Sequence, residues 1–172
     1  NSAGLVTAVG AGTCDIIYTI TGGCNGPVSA FQTITVNPNS AITSVTGTTP
    51  LCLGATATYA ANGVVLGGGT GVWSSSDILV ATVDNAGLVT AVGAGTCNII
   101  YTITGGCNGP VSAQQSLTVN PNAAVTSVTG ASPLCIGATT TYTANGVVLG
   151  GGTGAWSSSD ILVATVNPAT GL

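Results

Sequence analysis

Six cysteines are the residues of this sequence best suited to chemistry, and their spacing obeys a rule. Cys14, Cys24 and Cys52 recur as Cys97, Cys107 and Cys135, each 83 positions on. Three thiols per period is an odd number, which points to a bond that leaves the repeating unit. Other reactive groups are few. There is no Lys, Arg or His, and the acidic residues are Asp15, Asp77, Asp84 and Asp160. General acid–base catalysis needs a titratable group tuned near the working pH, and only Asp, Tyr and Cys are on offer. Asp77 and Asp160 are copies of one position, so they are not expected to meet within one fold. The serines at 74, 75 and 76 have no His or Lys beside them to activate a hydroxyl; they read as a turn next to Trp73. The glycine-rich run at 67–71 lacks the lysine and the following helix of a phosphate loop and reads as a hairpin or rim loop. No catalytic residue and no cofactor are expected, and the chain is not expected to be an enzyme.

The same composition removes whole classes of partner. A charged fraction of 2% lies far below the usual ~25%. Without cations the chain cannot neutralise phosphates, so no nucleic-acid binding is expected, and charge-driven binding to anionic membranes is excluded on the same ground. No apolar run approaches the ~20 residues of a membrane-spanning helix. Calcium wants several carboxylates on one ion; a full period supplies Asp77 and Asp84, so no metal site is expected. A Lys–Asn isopeptide staple has no Lys to form it, and no Asn-x-Ser/Thr acceptor is present.

The elements that must position the cysteines follow from hydrophobic alternation. Val, Ile, Thr and Tyr sit at every second position, the pattern of half-buried strands, and helix formers are absent or rare, so almost no helix is expected. In residues 14–21, Cys14, Ile16, Tyr18 and Ile20 share a face. A Gly-, Asn- and Pro-rich turn at 22–27 leads to a return strand at 28–36, and 37–39 (Asn-Pro-Asn) reads as a linker. Upstream, 4–9 reads as a short strand before a glycine corner. In the next period strands are expected at 42–47, 53–61, 64–66, 72–74, 79–83, 88–92, 97–104 and 111–119. Leu53, Ala55, Ala57 and Tyr59 would share the inner face of the second. Cys97 should point inward with Ile99, Tyr101 and Ile103. Cys52, out of phase with its neighbours, should point outward unless Gly54 makes a bulge. Short strands with turns every 8 to 12 residues are the signature of an immunoglobulin-like sandwich. Trp73, Trp156, Tyr59 and Tyr101 are the candidate core aromatics. Phe31 becomes Gln114 one period on, which marks an exposed position.

A repeat this regular means one structural unit used again. The divisions expected are 1–38, the back half of a unit; 39–121, a complete unit; and 122–172, the front half of the next. The sequence starts and stops at the same phase, as a window on a longer array would, with one extra residue entering at 167–170.

The stretch 73–102, WSSSDILVATVDNAGLVTAVGAGTCNIIYT, resembles bacterial Ig-like group 2 domains, whose mark is a Trp-Ser-Ser segment, Ala-Thr-Val, Gly-Leu-Val and a Gly-Thr corner before a long strand. The turns at Cys52 and Cys107 resemble repeats in very long surface proteins of Bacteroidetes, gliding adhesins among them. The resemblance implies tandem Ig-like sandwiches at the cell surface or outside the cell. In such a sandwich Cys52 and Cys97 start strands at the same end, while Cys107 lies in a turn at the other. Three arrangements stay open: a bridge Cys52–Cys97 within the unit, a bond between the thiols at positions 52 and 107 across a junction or between chains, and free thiols. Two functions stay open as well. One is a structural repeat of an extracellular fibre, whose charge-free edges lack the usual guard against pairing and whose partners are copies of itself. The other is the stalk or binding repeat of a surface adhesin with a glycan or surface ligand.

Overall fold

The computed structural model describes residues 3–168, and among them there is no helix. The strands in chain order are β1 (Gly12–Ile20), β2 (Val28–Val36), β3 (Ser44–Thr46), β4 (Leu51–Cys52), β5 (Thr56–Thr58), β6 (Ala60–Asn62), β7 (Thr70–Ser75), β8 (Ala81–Val83), β9 (Leu88–Ala91), β10 (Gly95–Thr104), β11 (Val111–Asn120), β12 (Ser127–Thr129) and β13 (Thr143–Asn145).

Residues 40–120 close into a β-sandwich. One layer is the sheet β4-β11-β10-β7; facing it are β5-β9-β8 and the pair β3-β6. The alternation of β10 sets the inner face: Cys97, Ile99 and Ile103 are buried, and on β11 so are Leu117 and Val119. All but Ile103 join Val89 and Ala91 of β9, Ala81 of β8, Val45 of β3 and Tyr59 in one cluster. Full burial of a side chain such as Ile99 or Leu117 contributes about 1.5–3 kcal/mol. Tyr59 is 2% exposed, and its hydroxyl donates to the Thr48 carbonyl (2.8 Å). Burial pushes its pKa above the usual tyrosine value, with the nearby Cys97 adding to the effect. Trp73 is half-buried against the cluster and meets Tyr101 edge-on, with ring centroids 4.9 Å apart and planes at 70°. This geometry suits the quadrupoles of two aromatic rings.

The expected strand at 53–61 is instead two short strands in different sheets, β5 and β6, with β4 just ahead of it in a third sheet. Gly54, at φ +81°, takes a conformation that costs other residues dearly, and Ala55 N–H closes a turn on the Cys52 carbonyl (3.0 Å). The chain therefore runs beside β11 as β4, beside β9 as β5 and beside β3 as β6. Leu53 leaves the core, 37% exposed, while Leu51 enters it. The strand expected at 79–83 is shortened to β8, because Asp77 organises a turn ahead of it: its backbone carbonyl accepts from Val80 N–H and Ala81 N–H and its Oδ1 from Leu79 N–H. The segment 4–9 is not a strand. Its counterpart β9 is held by β5 and β8, whereas 4–9 pairs with no strand among the described residues.

The segments on either side of the sandwich adopt parts of the same geometry. β1 and β2 form a hairpin in which Cys14 faces Ile34, as Cys97 faces Leu117 in β10–β11. Both faces of this hairpin lie open, Tyr18 at 64% and Phe31 at 68% exposure. Downstream, Ala124 bridges Val148 as Ala41 bridges Val65, and β12 pairs with β13 as β3 pairs with β6. Trp156 is half-exposed there. The register break at 167–170 includes Ala169 and Thr170, which lie outside the described residues.

Candidate functional site: the junction between units

Three loops converge where the linker enters the sandwich. Ser40, the one buried polar residue among those described, donates its N–H to the Cys107 carbonyl (3.0 Å) and its hydroxyl to the Leu66 carbonyl (2.8 Å). Cys107 N–H in turn donates to the Gly67 carbonyl (3.1 Å). Both backbone polar groups of Cys107 are thus engaged, which fixes its Cα while its side chain is exposed. The glycines of the 67–71 run and the turn at 105–109 allow this close approach, so the hairpin-loop reading of 67–71 describes a structural latch. Ser40 carried no signal in the sequence, since Ala123 occupies the same position one period on.

An open cleft of about 610 Å³ separates this latch from the preceding segment. It is lined by 8–11 on one side, 35–39 along the linker, and Cys107 on the other. The lining is small and apolar or amidic, with no aromatic wall and no charge.

The six cysteines are all thiols, Cys97 buried and Cys14, Cys24, Cys52, Cys107 and Cys135 exposed. A bridge between Cys52 and Cys97 is ruled out by the sheet. Cys52 pairs with Asn120 on β11, whereas Cys97 lies on β10, beyond β11. Two inter-strand spacings of one sheet thus separate them by at least ~10 Å, more than the ~7 Å limit between the Cα atoms of a disulfide. Their side chains also take opposite faces. Cys14 and Cys24 belong to the hairpin β1–β2 and its turn, and Cys135 to the downstream segment.

The remaining candidates are bound up in local structure. Asp84 Oδ1 accepts from Ala86 N–H and Leu88 N–H, both at 2.9 Å, so both carboxylates of the unit close turns, as Asx side chains do. Ser75 Oγ donates to the Asp77 carbonyl (3.1 Å), and Ser76 Oγ accepts from Asn98 N–H (2.8 Å). Asp15 accepts from Thr33 Oγ1 (2.6 Å) across β1–β2. Among the described residues no cluster of His, Cys, Asp or Glu could hold a metal ion.

The fold defines an immunoglobulin-like β-sandwich, all-β, over residues 40–120. Residues 30–108 match the family model described as Bacterial Ig-like domain (group 2). That match begins within β2 and ends at the Cys107 turn, and it points to a structural, non-enzymatic domain. No curated protein matches the chain. Among solved structures it is similar to "Structure of surface layer protein SbsC, domains 1-6", at 18% identity and a TM-score of 0.30, over 71% of this chain and 18% of that one.

Proposed function

We propose that the chain is a structural repeat of a long secreted or cell-surface bacterial protein, in which units joined head to tail build an extracellular fibre. The observation that carries this reading is the latch. Ser40, Leu66, Gly67 and Cys107 tie the start of a unit to its own end-loops immediately after a short linker. The latch fixes the point at which the linker enters the unit, and the linker itself is short, 37–39, so successive units have little slack between them. Two further features support it. The surface is almost free of charge, so units lack the repulsion that keeps neighbours apart, and the sequence contains no Lys or Arg for a trypsin-like protease to cut.

The test is electron microscopy of the native material together with small-angle scattering of chains carrying increasing numbers of units. A rod whose length grows by a constant step per unit is the expected result. Collapsed or randomly oriented beads would refute serial stiffness. A glycan array probed with this chain decides against the other surface role: binding to a defined glycan would make the repeat a gliding-adhesin-like attachment module, and silence leaves the fibre reading in place.

A further inference from the structure

We infer that the thiols at positions 52 and 107 form a disulfide across each junction, which deepens the fibre reading and rests on it. The argument starts from what the complete unit does with Cys52. That residue lies in β4, paired in parallel with Asn120, and the next residues continue the contact: Leu53 N–H donates to the Asn120 carbonyl and Gly54 N–H to the Ala91 carbonyl. The repeat offset of 83 carries Asn120 onto Asn37 and Ala91 onto Ala8. Asn37 and Ala8 both line the cleft that faces Cys107. The cleft is therefore where the segment holding the preceding unit's position-52 cysteine belongs. Neighbouring strands lie ~4.8 Å apart. Seated beside Asn37 as Cys52 sits beside Asn120, the preceding unit's position-52 residue would enter the cleft that Cys107 lines from the other side, and the bond requires the two Cα atoms to close to ~4.4–6.8 Å. Cys52 is exposed and Cys107 is exposed on a fixed backbone, as such a bond requires. Cys97 is buried in the sandwich and takes no part; Cys14, at the same position of β1 and exposed in the single copy, would be covered in the same way once the hairpin is seated on a front half.

Within one copy of this sequence neither junction holds both thiols. Two copies joined head to tail do. The hairpin β1–β2 of a second copy would sit on residues 123–168 of the first as β10–β11 sits on the front of the complete unit, where Tyr101 is paired with Trp73. Tyr18 and Trp156 are the corresponding pair; in the single copy Tyr18 is exposed and Trp156 half-exposed. This arrangement sets Cys52 against Cys24 of the second copy and Cys135 against Cys107 of the second copy. Each bond forms by loss of two protons and two electrons from two thiols. A small disulfide such as oxidised glutathione accepts them and leaves as two thiols.

The test is oxidation of the full chain with oxidised glutathione, read on non-reducing gels and by mass mapping of pepsin fragments. The expected result is a ladder at multiples of 16.3 kDa that reductant collapses, with linked peptides Cys52–Cys24 and Cys135–Cys107. The double variant Cys24→Ser, Cys107→Ser should fold, as judged by its melting transition, and give no ladder. A chain that stays monomeric on oxidation, a ladder that persists in the double variant, or linked peptides containing Cys14 or Cys97 would overturn the inference. Straight rods without these bonds would remove the disulfide and leave the fibre reading intact.

Discussion

Two glycines with nearly the same backbone conformation separate conformational cost from steric cost. Gly54 and Gly87 have φ of +81° and +82°. Replacing either by alanine forces an L residue into the left-handed region, a cost of about 1–2 kcal/mol. A Cβ on Gly54 would meet nothing within 4 Å. A Cβ on Gly87 would lie 2.6 Å from the Tyr59 carbonyl and 3.2 Å from the Trp73 ring. That carbonyl is backbone, and Tyr59 N–H is bonded to the Gly87 carbonyl (2.8 Å), so relief means breaking this bond or displacing the turn. Overpacking adds about 1–3 kcal/mol and a lost hydrogen bond about 1 kcal/mol. Gly87→Ala should therefore destabilise the sandwich by about 2–4 kcal/mol more than Gly54→Ala. In a domain of this size each kcal/mol lowers the Tm by about 4–8 °C. The assay is urea and thermal unfolding followed by Trp73 fluorescence in a Trp156→Phe background. Equal losses for the two variants would refute the packing of Gly87 against Tyr59 and Trp73.

Three further outcomes follow from the core. Leu117→Ala, at a fully buried position of β11, should cost about 2–5 kcal/mol in urea unfolding, whereas Gln114→Ala on the same strand should cost little. A thiol reagent under native conditions should label the five exposed cysteines quickly and Cys97 only as the sandwich opens; mass spectrometry of the labelled sites checks this. Because burial raises the Tyr59 pKa, the unfolded chain releases its proton first as pH climbs past the ordinary tyrosine value. Stability should therefore be intact below about pH 10 and fall above it. Tyr59→Phe should reduce that alkaline loss while losing about 0.5–1.5 kcal/mol at neutral pH with the Thr48 bond.

The hairpins β1–β2 and β10–β11 were legible because the alternation, the Gly-Asn-Pro turn and the linker all agree, and each is decided locally. The sandwich class followed from the same spacing of short strands. The second strand was not legible in its true form. Three successive pieces of 51–62 choose three different neighbours, and only the positive φ of Gly54 separates the first two. The outward position of Cys52 was anticipated by counting from Leu53. In fact it follows from Leu51, the buried neighbour, since Leu53 itself is partly exposed. The latch was invisible, because a lone serine in a linker has no pattern, and its partners are backbone carbonyls supplied by loops far along the chain. The two aspartates read first as weak ligands for calcium. Their carboxylates accept from N–H groups within four residues, a use that composition does not reveal.

The parallel pairing of β4 with β11 decides how a unit would respond to being pulled. Tension leaving through Asn120 runs along β11, whose end is held by β4 at Leu51 and Cys52, by Leu53 N–H, and by Thr118 N–H on Thr49 Oγ1. In parallel strands these bonds lie across the load and must shear together, whereas a hairpin opened from its end unzips one bond at a time. The patch is short, so a single unit would yield abruptly and in one step, and a string of units stretched from its ends would lengthen in equal jumps.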